Sequence, residues 1–156
     1  MKKRSDNIKE FLNRGDKIWW EFKNTRNYPS IPIIKVDSTN FKNFTKEVQE
    51  SIDCFLSELE WDEMWTLDDS QDRIDNGMIL FLLRDTKGAL GHTWFNGNQW
   101  FNWYVHKRRE QGISLKFILS CWNQIEHSRI ICWAEPWNVA PQKGFEKLGG
   151  KIFNNK

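Results

Sequence analysis

The fold of this 156-residue chain is decided by one stretch, Trp103-Tyr104-Val105-His106-Lys107-Arg108-Arg109-Glu110-Gln111-Gly112-Ile113-Ser114. The residues up to His106 predict a strand, and a helix is predicted to begin near Gly112, after a loop with two arginines. The start of a helix offers unpaired amides and partial positive charge, and a glycine lets an anion approach the backbone. The stretch therefore predicts a pyrophosphate site; the alternative is a plain strand-to-helix turn with a solvated basic loop.

Two further strands are predicted immediately before this stretch. The apolar run Met78–Leu83 ends in a polar turn that contains Gly88, and the run Ala89–Phe95 ends at Asn96-Gly97-Asn98. Turns of this kind join antiparallel neighbours, so residues 78–106 are predicted to form a three-stranded meander. In its last strand, regular alternation predicts two sides: Phe101, Trp103 and Val105 on one, and Trp100, Asn102, Tyr104 and His106 on the other.

Helices and strands alternate on either side of the meander. Apolar residues between Phe44 and Leu59 recur every three or four positions, which predicts one long helix, and the polar segment Asp68–Gly77 follows it. The order of elements predicts an α/β (α+β) fold with a mixed, mainly antiparallel central sheet and helices on both faces. The remaining predicted elements are a strand at Ile33–Val36, a helix over Leu115–Ile125, a strand at Ile130–Ala134, a helix from Asn138 to Gly149-Gly150, and a short strand at Lys151–Phe153.

Length and composition indicate the class of protein. A chain of 156 residues is expected to form one domain, assigned to residues 31–156, with residues 1–30 as an N-terminal extension packed on it. Ile8, Phe11 and Leu12 suggest a short helix in this extension. The net charge of +2 argues against a strongly cationic nucleic-acid surface. No apolar run approaches the roughly 18 residues that span a bilayer, and no secretory signal follows the basic N-terminus.

The three cysteines, Cys54, Cys121 and Cys132, lie within apolar patterns and form no closely spaced pair. An odd number of separated cysteines fits neither a disulfide framework nor a metal site. We therefore interpret the cysteines as buried free thiols of a soluble, cytoplasmic protein, and we expect no metal site. Because the apolar runs are short, we also expect no contact with membranes.

A second motif follows the first along the chain. Asn138 is followed seven positions later by Phe145-Glu146-Lys147-Leu148-Gly149. Together with Arg109-Glu110-Gln111-Gly112-Ile113-Ser114 and the meander, this order and spacing resemble the GNAT superfamily of N-acetyltransferases over roughly residues 31–153. The chain departs from the family at Ser114, where members have Gly or Ala, and at Phe145, where many members have Tyr.

The resemblance implies direct transfer of an acetyl group from acetyl-CoA to an amine acceptor. The strand that ends at Val105 would separate from the strand Ile130–Ala134 and admit the pantetheine arm, and an amide near Val105 would bond the thioester carbonyl. Asn138 would contact the pantetheine or cap its own helix. The residues that the resemblance assigns to acetyl-CoA are Tyr104, Val105, Arg109, Glu110, Gln111, Gly112, Ile113, Ser114, Asn138 and Phe145.

Three residues are candidates for catalytic roles. The attacking amine must be neutral, so a base is expected; Glu135 is the first choice and His106 the second. The alternatives are an exposed carboxylate and a surface histidine. Phe145 stands where the family's tyrosine is often assigned as the acid for the leaving thiolate. Because phenylalanine has no hydroxyl, Phe145 would only pack beside the sulfur.

The acceptor is expected on an acidic and aromatic surface, which the family's first helix, the loop after it and the middle hairpin usually shape. Such a surface would attract a cationic amine through charge and cation–π contacts. The alternative is that Trp61 and Trp65 only close the apolar face of the helix. The residues concerned are Trp61, Asp62, Glu63 and Trp65, with Trp94 and Trp100.

Two other functions are compatible with these residues. Phe145 indicates a catalytically weak or inactive CoA-binding or regulatory protein with the same fold. Lys107-Arg108-Arg109, the basic N-terminus and aromatic side chains that suit base stacking indicate a nucleic-acid-directed modifying protein or binder. The protein is expected to be a monomer or a homodimer.

Overall fold

The structure, a computed structural model, describes residues 17–59 and 65–154 of the chain. Within these ranges the chain forms seven strands, four α-helices and a short 3-10 turn. The predicted mixed α/β class is confirmed, as is each helix and strand predicted after residue 32. The elements are β1 (Ile18–Lys23), β2 (Ile34–Val36), the turn Phe41–Asn43, α1 (Thr45–Ser57), α2 (Leu67–Asp75), β3 (Ile79–Asp85), β4 (Gly88–Asn96), β5 (Gln99–Val105), α3 (Ile113–Trp122), β6 (Arg129–Ala134), α4 (Val139–Lys147) and β7 (Lys151–Phe153).

One sheet contains all seven strands, in the order β2-β3-β4-β5-β6-β1-β7. The neighbouring pairs are antiparallel except for β5 and β6, which run parallel. A parallel pair needs a crossover connection, and α3 supplies it here. The sheet is therefore mainly antiparallel, as predicted, with one parallel pair near its middle. Within the described ranges, no helix is both long enough and apolar enough to cross a membrane.

The sheet continues into the residues that we assigned to an N-terminal extension. Residues Ile18–Lys23 form β1 between β6 and β7, and the alternate residues Trp20 and Phe22 point into the core. Residues 18–23 are thus part of the sheet itself. The short helix that was expected over residues 8–12 lies outside the described residues.

The segment that we read as polar, Asp68–Gly77, is mostly helix. Thr66 and Asp69 form a capping box: the Thr66 hydroxyl accepts a hydrogen bond from the Asp69 amide (3.2 Å), and the Asp69 carboxylate accepts one from the Thr66 amide (2.8 Å). Such a box satisfies two amides at the start of a helix. In α2, Ile74 is the single hydrophobic residue that is fully buried. The helix was missed because its apolar face is too narrow to produce a periodic pattern.

Helices cover both faces of the sheet, and each face has its own core. α3 and α4 pack on a core rich in aromatic residues, whereas α1 and α2 pack on a second core under β3 and β4. Burying one large apolar side chain stabilises the fold by about 1.5–3 kcal/mol, so the tryptophans account for much of this stability. The first core includes Trp20, Phe22, Trp100, Phe117, Trp122 and Phe145; the second includes Val48, Ile52, Ile74, Leu80 and Trp94.

A bulge in β5 changes which residues share a side of the sheet. Asn102 has a φ of 55°, and the β4–β5 register shifts at this point. As a result Trp100 and Trp103 lie on the same side, with ring centroids 5.1 Å apart, while Phe101 joins Tyr104 on the other side. The alternation predicted across the whole strand is therefore wrong at Asn102, because one extra residue inverts the order of sides.

Candidate functional site

The boundary between β5 and β6 opens into a cleft. The two strands share one register pair, Gln99 with Ile131, and the Ile131 amide donates to the Asn98 carbonyl at 3.0 Å. Beyond this pair the strands separate towards their C-terminal ends and leave a cavity of about 200 Å³, which we call the β5–β6 cleft. Its lining residues are Trp100, Phe101, Asn102, Trp103, Cys132, Trp133, Ala134, Glu135, Asn138, Pro141 and Phe145.

Trp103 forms the wall of the cleft that faces α4. Its indole stacks on Phe145, with ring centroids 6.2 Å apart and planes at 25°. A Cβ at Gly144 would lie 2.8 Å from the same indole, so α4 approaches β5 closely only because residue 144 is a glycine. The Trp103 Nε1 is buried and has no hydrogen-bond acceptor among the described residues. The wall of the cleft therefore includes a buried donor whose hydrogen bond is unmade in the described part of the chain, although its nitrogen is not exposed to the open space of the cleft.

The backbone of β5 also turns polar groups towards the cleft. The His106 amide donates to the Leu90 carbonyl of β4 at 2.7 Å. Along a strand, the backbone hydrogen-bonding groups of successive residues point to alternate edges. Because the His106 amide points towards β4, the amide and carbonyl of Val105 point away from β4, to the edge from which β6 has separated. The Val105 carbonyl accepts a hydrogen bond from Nη1 of Arg109 at 2.9 Å. The end of β5 thus presents the Val105 amide to the cleft.

The loop after β5 ends in an exposed turn at the start of α3. Gly112 has a φ of 84°, and a Cβ at this position would meet no atom within 4 Å. The amides of Gln111, Gly112 and Ser114 have no hydrogen-bond acceptor within the described residues. Free amides at the start of a helix, with its partial positive charge, favour an anion.

Arg108 anchors this loop to the β3–β4 turn. Its guanidinium lies 3.1 Å from the Asp85 carboxylate and also donates to the Ala89 carbonyl. The hydrogen bond from Arg108 holds the pKa of Asp85 below its ordinary value, although burial of the carboxylate acts in the opposite direction. Since Arg109 is bonded to Val105, both arginines of the cluster have intramolecular partners. Their positions give no support to the nucleic-acid alternative.

Several residues expected in the site do line the cleft. Glu135 and Phe145 are among them, and Phe145 is 5% exposed. Asn138 also lines the cleft; it occupies the N-cap position of α4, but its side chain makes no cap hydrogen bond there. The Glu135 carbonyl accepts hydrogen bonds from the Asn138 amide (3.0 Å) and the Gln142 side chain (3.2 Å), which fix the turn between β6 and α4.

The side chains of Tyr104 and His106 lie on the other face of the sheet, against α1. The Tyr104 hydroxyl donates to Glu58 at 2.6 Å, and its ring packs on Phe55. His106 Nε2 lies 3.6 Å from the same Glu58 carboxylate. The pKa of Tyr104 lies above its ordinary value. Burial of the hydroxyl is the main cause, and the hydrogen bonds to Glu58 and Cys54 act in the same direction. The structure therefore does not bring these two side chains together with Glu135.

The residues expected to meet an acceptor are placed differently from the prediction. Trp94 and Trp100 are each 2% exposed and belong to the two cores, so neither ring forms an exposed surface for an acceptor, although Trp100 borders the β5–β6 cleft. Trp65 stacks on the guanidinium of Arg73, 4.3 Å from its ring centroid, and Arg73 also bonds Asn102 at 2.8 Å. The three remaining residues lie outside the described ranges: Trp61, Asp62 and Glu63.

Sequence reasoning missed Trp103, Trp133 and Gly144 as parts of the cleft. The signal for Gly144 was a glycine inside a predicted helix, which is unfavourable unless a neighbour needs the space. Of the three cysteines, Cys121 and Cys132 are buried as predicted, whereas Cys54 is only half-buried. Burial raises the pKa of the Cys132 thiol, so this cleft residue stays protonated. Within residues 17–59 and 65–154 no group of three or more ligating side chains is arranged to hold a metal ion.

Comparison with known proteins shows the fold. No protein-family model and no curated protein matches the sequence. The chain resembles a functionally unknown conserved protein from Staphylococcus epidermidis, with a TM-score of 0.63 and 9% identity over 94% of this chain and 62% of that one. It also resembles an acetyltransferase of the GNAT family from Colwellia psychrerythraea, with a TM-score of 0.60 and 16% identity over 88% of this chain and 52% of that one.

A third solved structure was determined with a ligand. It is AAC(6')-Iy in complex with the bisubstrate analog CoA-S-monomethyl-acetylneamine, with a TM-score of 0.50 and 16% identity over 80% of this chain and 97% of that one. The chain spans about half to three-fifths of the length of the first two structures. At these identities the similarity concerns the arrangement of strands and helices.

Proposed function

The chain has the GNAT fold, and from that premise we propose that it is an N-acetyltransferase that moves an acetyl group from acetyl-CoA to an amine by direct transfer. One observation carries the proposal. The β5–β6 cleft is lined by the acidic residue Glu135, and the loop that follows β5, one of the two strands of the cleft, has free amides around Gly112. A thioester bound along the cleft would have its anionic end at the amides and its reactive end near a base.

The cofactor residues of the proposal follow from the chemistry of each position. The amides of Gln111, Gly112 and Ser114, with Arg109 nearby, suit the pyrophosphate of CoA. The side chain of Asn138, which lines the cleft, suits the amide groups of the pantetheine, which would otherwise lose their hydrogen bonds on leaving water. The fit between these groups and CoA supports a CoA site in the cleft.

The chemistry is nucleophilic attack on the thioester. The amine nitrogen bonds to the carbonyl carbon, and the negative charge that develops on the carbonyl oxygen is stabilised by the Val105 amide. The carbon–sulfur bond then breaks and the thiolate leaves. The proton lost by the amine passes to Glu135, directly or through water. Holding the two reactants together contributes to the rate by removing the entropy cost of their meeting.

No tyrosine is present beside the leaving sulfur in this scheme. The position is Phe145, whose ring is buried against Trp20 and Trp103. A thiol has a pKa of roughly 8.5, so its thiolate leaves near neutral pH without a strong acid. Phe145 also supports the second candidate function, a regulatory protein that binds CoA without efficient turnover, because such a protein needs no proton donor there.

Two measurements test the proposal. Isothermal titration with acetyl-CoA is expected to show one site, with binding reduced in the Gly112→Glu variant. Thiol release over a panel of small amines, peptides and nucleosides is expected to show turnover with at least one amine. Binding without turnover for any amine would favour the regulatory protein. The absence of binding at millimolar acetyl-CoA would exclude both.

A further inference from the structure

Lys17 lies beside the cleft through the pairing of β1 with β6. Ile18 pairs with Ala134 and Trp19 with Trp133, so these strands run side by side up to the end of β6. Successive side chains of a strand point to opposite faces, and Lys17, two residues before Trp19, therefore shares the face of Trp133. The Lys17 Nζ lies 4.6 Å from the centroid of the Trp133 ring.

Trp133 and Glu135 both line the β5–β6 cleft. Lys17 is not itself a lining residue of the cleft, but its amine lies on the ring of Trp133, which is one. Lys17 is half-buried, and its position just before β1 fixes the backbone from which the side chain extends. A primary amine is the functional group that the proposed reaction consumes.

We propose that Lys17 is an acceptor within the protein itself: its Nζ takes the acetyl group from a thioester bound in the cleft. This inference rests on the proposed function. The Lys17 nitrogen bonds to the carbonyl carbon, the carbon–sulfur bond breaks, and CoA leaves as the thiolate. Glu135, which follows β6 beside Lys17, accepts the proton that the nitrogen loses. The products are an amide on Lys17 and free CoA.

Proximity offsets the scarcity of neutral amine. An ordinary lysine side chain, with a pKa of about 10.4, is neutral in about one molecule in 2,500 at pH 7. Holding the amine beside a bound thioester raises its effective concentration by orders of magnitude, which offsets this small neutral fraction. Acetylation removes the positive charge and with it the cation–π attraction between Lys17 and the Trp133 ring.

The test is acetylation of the full-length chain by acetyl-CoA alone, followed by mapping of modified lysines by peptide mass spectrometry. Lys23 is the internal control, because it lies at the far end of β1 and on the same face as Lys17, about 20 Å away. We expect Lys17 to be acetylated at least about tenfold faster than Lys23, with a rate independent of protein concentration. Lys17→Arg keeps the cation but should lose one acetyl group per chain.

Matched variants at the cofactor loop separate enzymatic from spontaneous acetylation. Gly112→Glu should abolish the preference for Lys17 over Lys23 and should lower the acetylation rate at Lys17 more than Gly112→Gln does. Equal rates at Lys17 and Lys23, while an added amine is acetylated, would overturn this inference and leave the proposed function standing. A rate at Lys17 that rises in proportion to protein concentration would overturn transfer within one chain. Failure to bind acetyl-CoA would overturn the proposed function and this inference together.

Discussion

Trp103 and Gly144 are in such close contact that a Cβ on residue 144 would lie 2.8 Å from the outer ring atoms of the indole. This contact sets the distance between β5 and α4, and with it the width of the β5–β6 cleft. The cleft residue Phe145 follows directly in sequence and stacks on the same indole. The shape of the cleft thus depends on a position that carries no side chain.

Gly144→Ala is expected to lower the free energy of unfolding by about 1–2 kcal/mol. The added methyl group displaces the indole or the helix, and this overpacking outweighs the roughly 1 kcal/mol that alanine contributes to helix stability. Urea denaturation measures the change. In a Trp103→Phe background the ring is smaller, so the same substitution should cost much less. An equal cost in both backgrounds would show that the indole is not the obstacle.

Gly112→Glu is expected to weaken CoA binding at least about tenfold more than Gly112→Gln. Both side chains suffer the same strain at a φ of 84°, and both have open space around the Cβ. The two variants therefore differ only in the negative charge brought to the amides of the loop. Isothermal titration of each folded variant measures the dissociation constants. Equal constants would place the pyrophosphate elsewhere.

Phe145→Tyr is expected to leave CoA affinity unchanged and turnover equal or faster. The ring is buried among aromatic residues, where Trp20 and Trp103 each have an indole N–H without an acceptor among the described residues. Burying the new hydroxyl is expected to cost about 1–3 kcal/mol of stability, and less where one of these N–H groups donates to it. Thiol release measures turnover. A rate about tenfold slower would show that residue 145 does not lie beside the leaving group.

Tyr104→Phe is expected to destabilise the protein by about 1.5–3 kcal/mol at neutral pH, because it removes a hydrogen bond of 2.6 Å to a carboxylate. The variant should change stability far more than CoA affinity, since the Tyr104 side chain faces α1 rather than the cleft. Urea denaturation and isothermal titration compare the two effects. A loss of CoA affinity at unchanged stability would mean that the hydroxyl reaches the cofactor.

The acid stability of the fold should depend on Glu58. Burial alone would raise the pKa of Glu58, but hydrogen bonds from Tyr104 and the Lys107 amide outweigh it, so the pKa lies below its ordinary value of 4.5. The stabilisation that the ionised Glu58 gives to the folded state is fully present above pH 4.5. It is lost as the pH falls through the lower pKa that Glu58 has in the folded protein. Glu58→Gln should therefore flatten the decline of the unfolding free energy below pH 4.5. A decline as steep as in the unmodified protein would contradict the assignment.

Local patterns in the sequence were sufficient for most elements of the fold. The apolar period between Phe44 and Leu59 predicts α1, and the turn at Asn96-Gly97-Asn98 predicts the β4–β5 hairpin. The glycine at position 112 predicts the start of α3, where it adopts a positive φ. These features depend on residues close to each other in the chain, so the sequence determines them directly.

The tertiary structure decided which of these residues share a site. The bulge at Asn102 reverses which side chains of β5 face each side of the sheet, and this places Trp103 in the wall of the cleft. The sequence does not reveal the bulge, because a single inserted residue produces no periodic pattern. The pairing of β1 with β6 joins residues more than a hundred positions apart and brings Lys17 to Trp133. Contacts of this kind depend on packing between distant segments, which periodicity and local propensity do not encode.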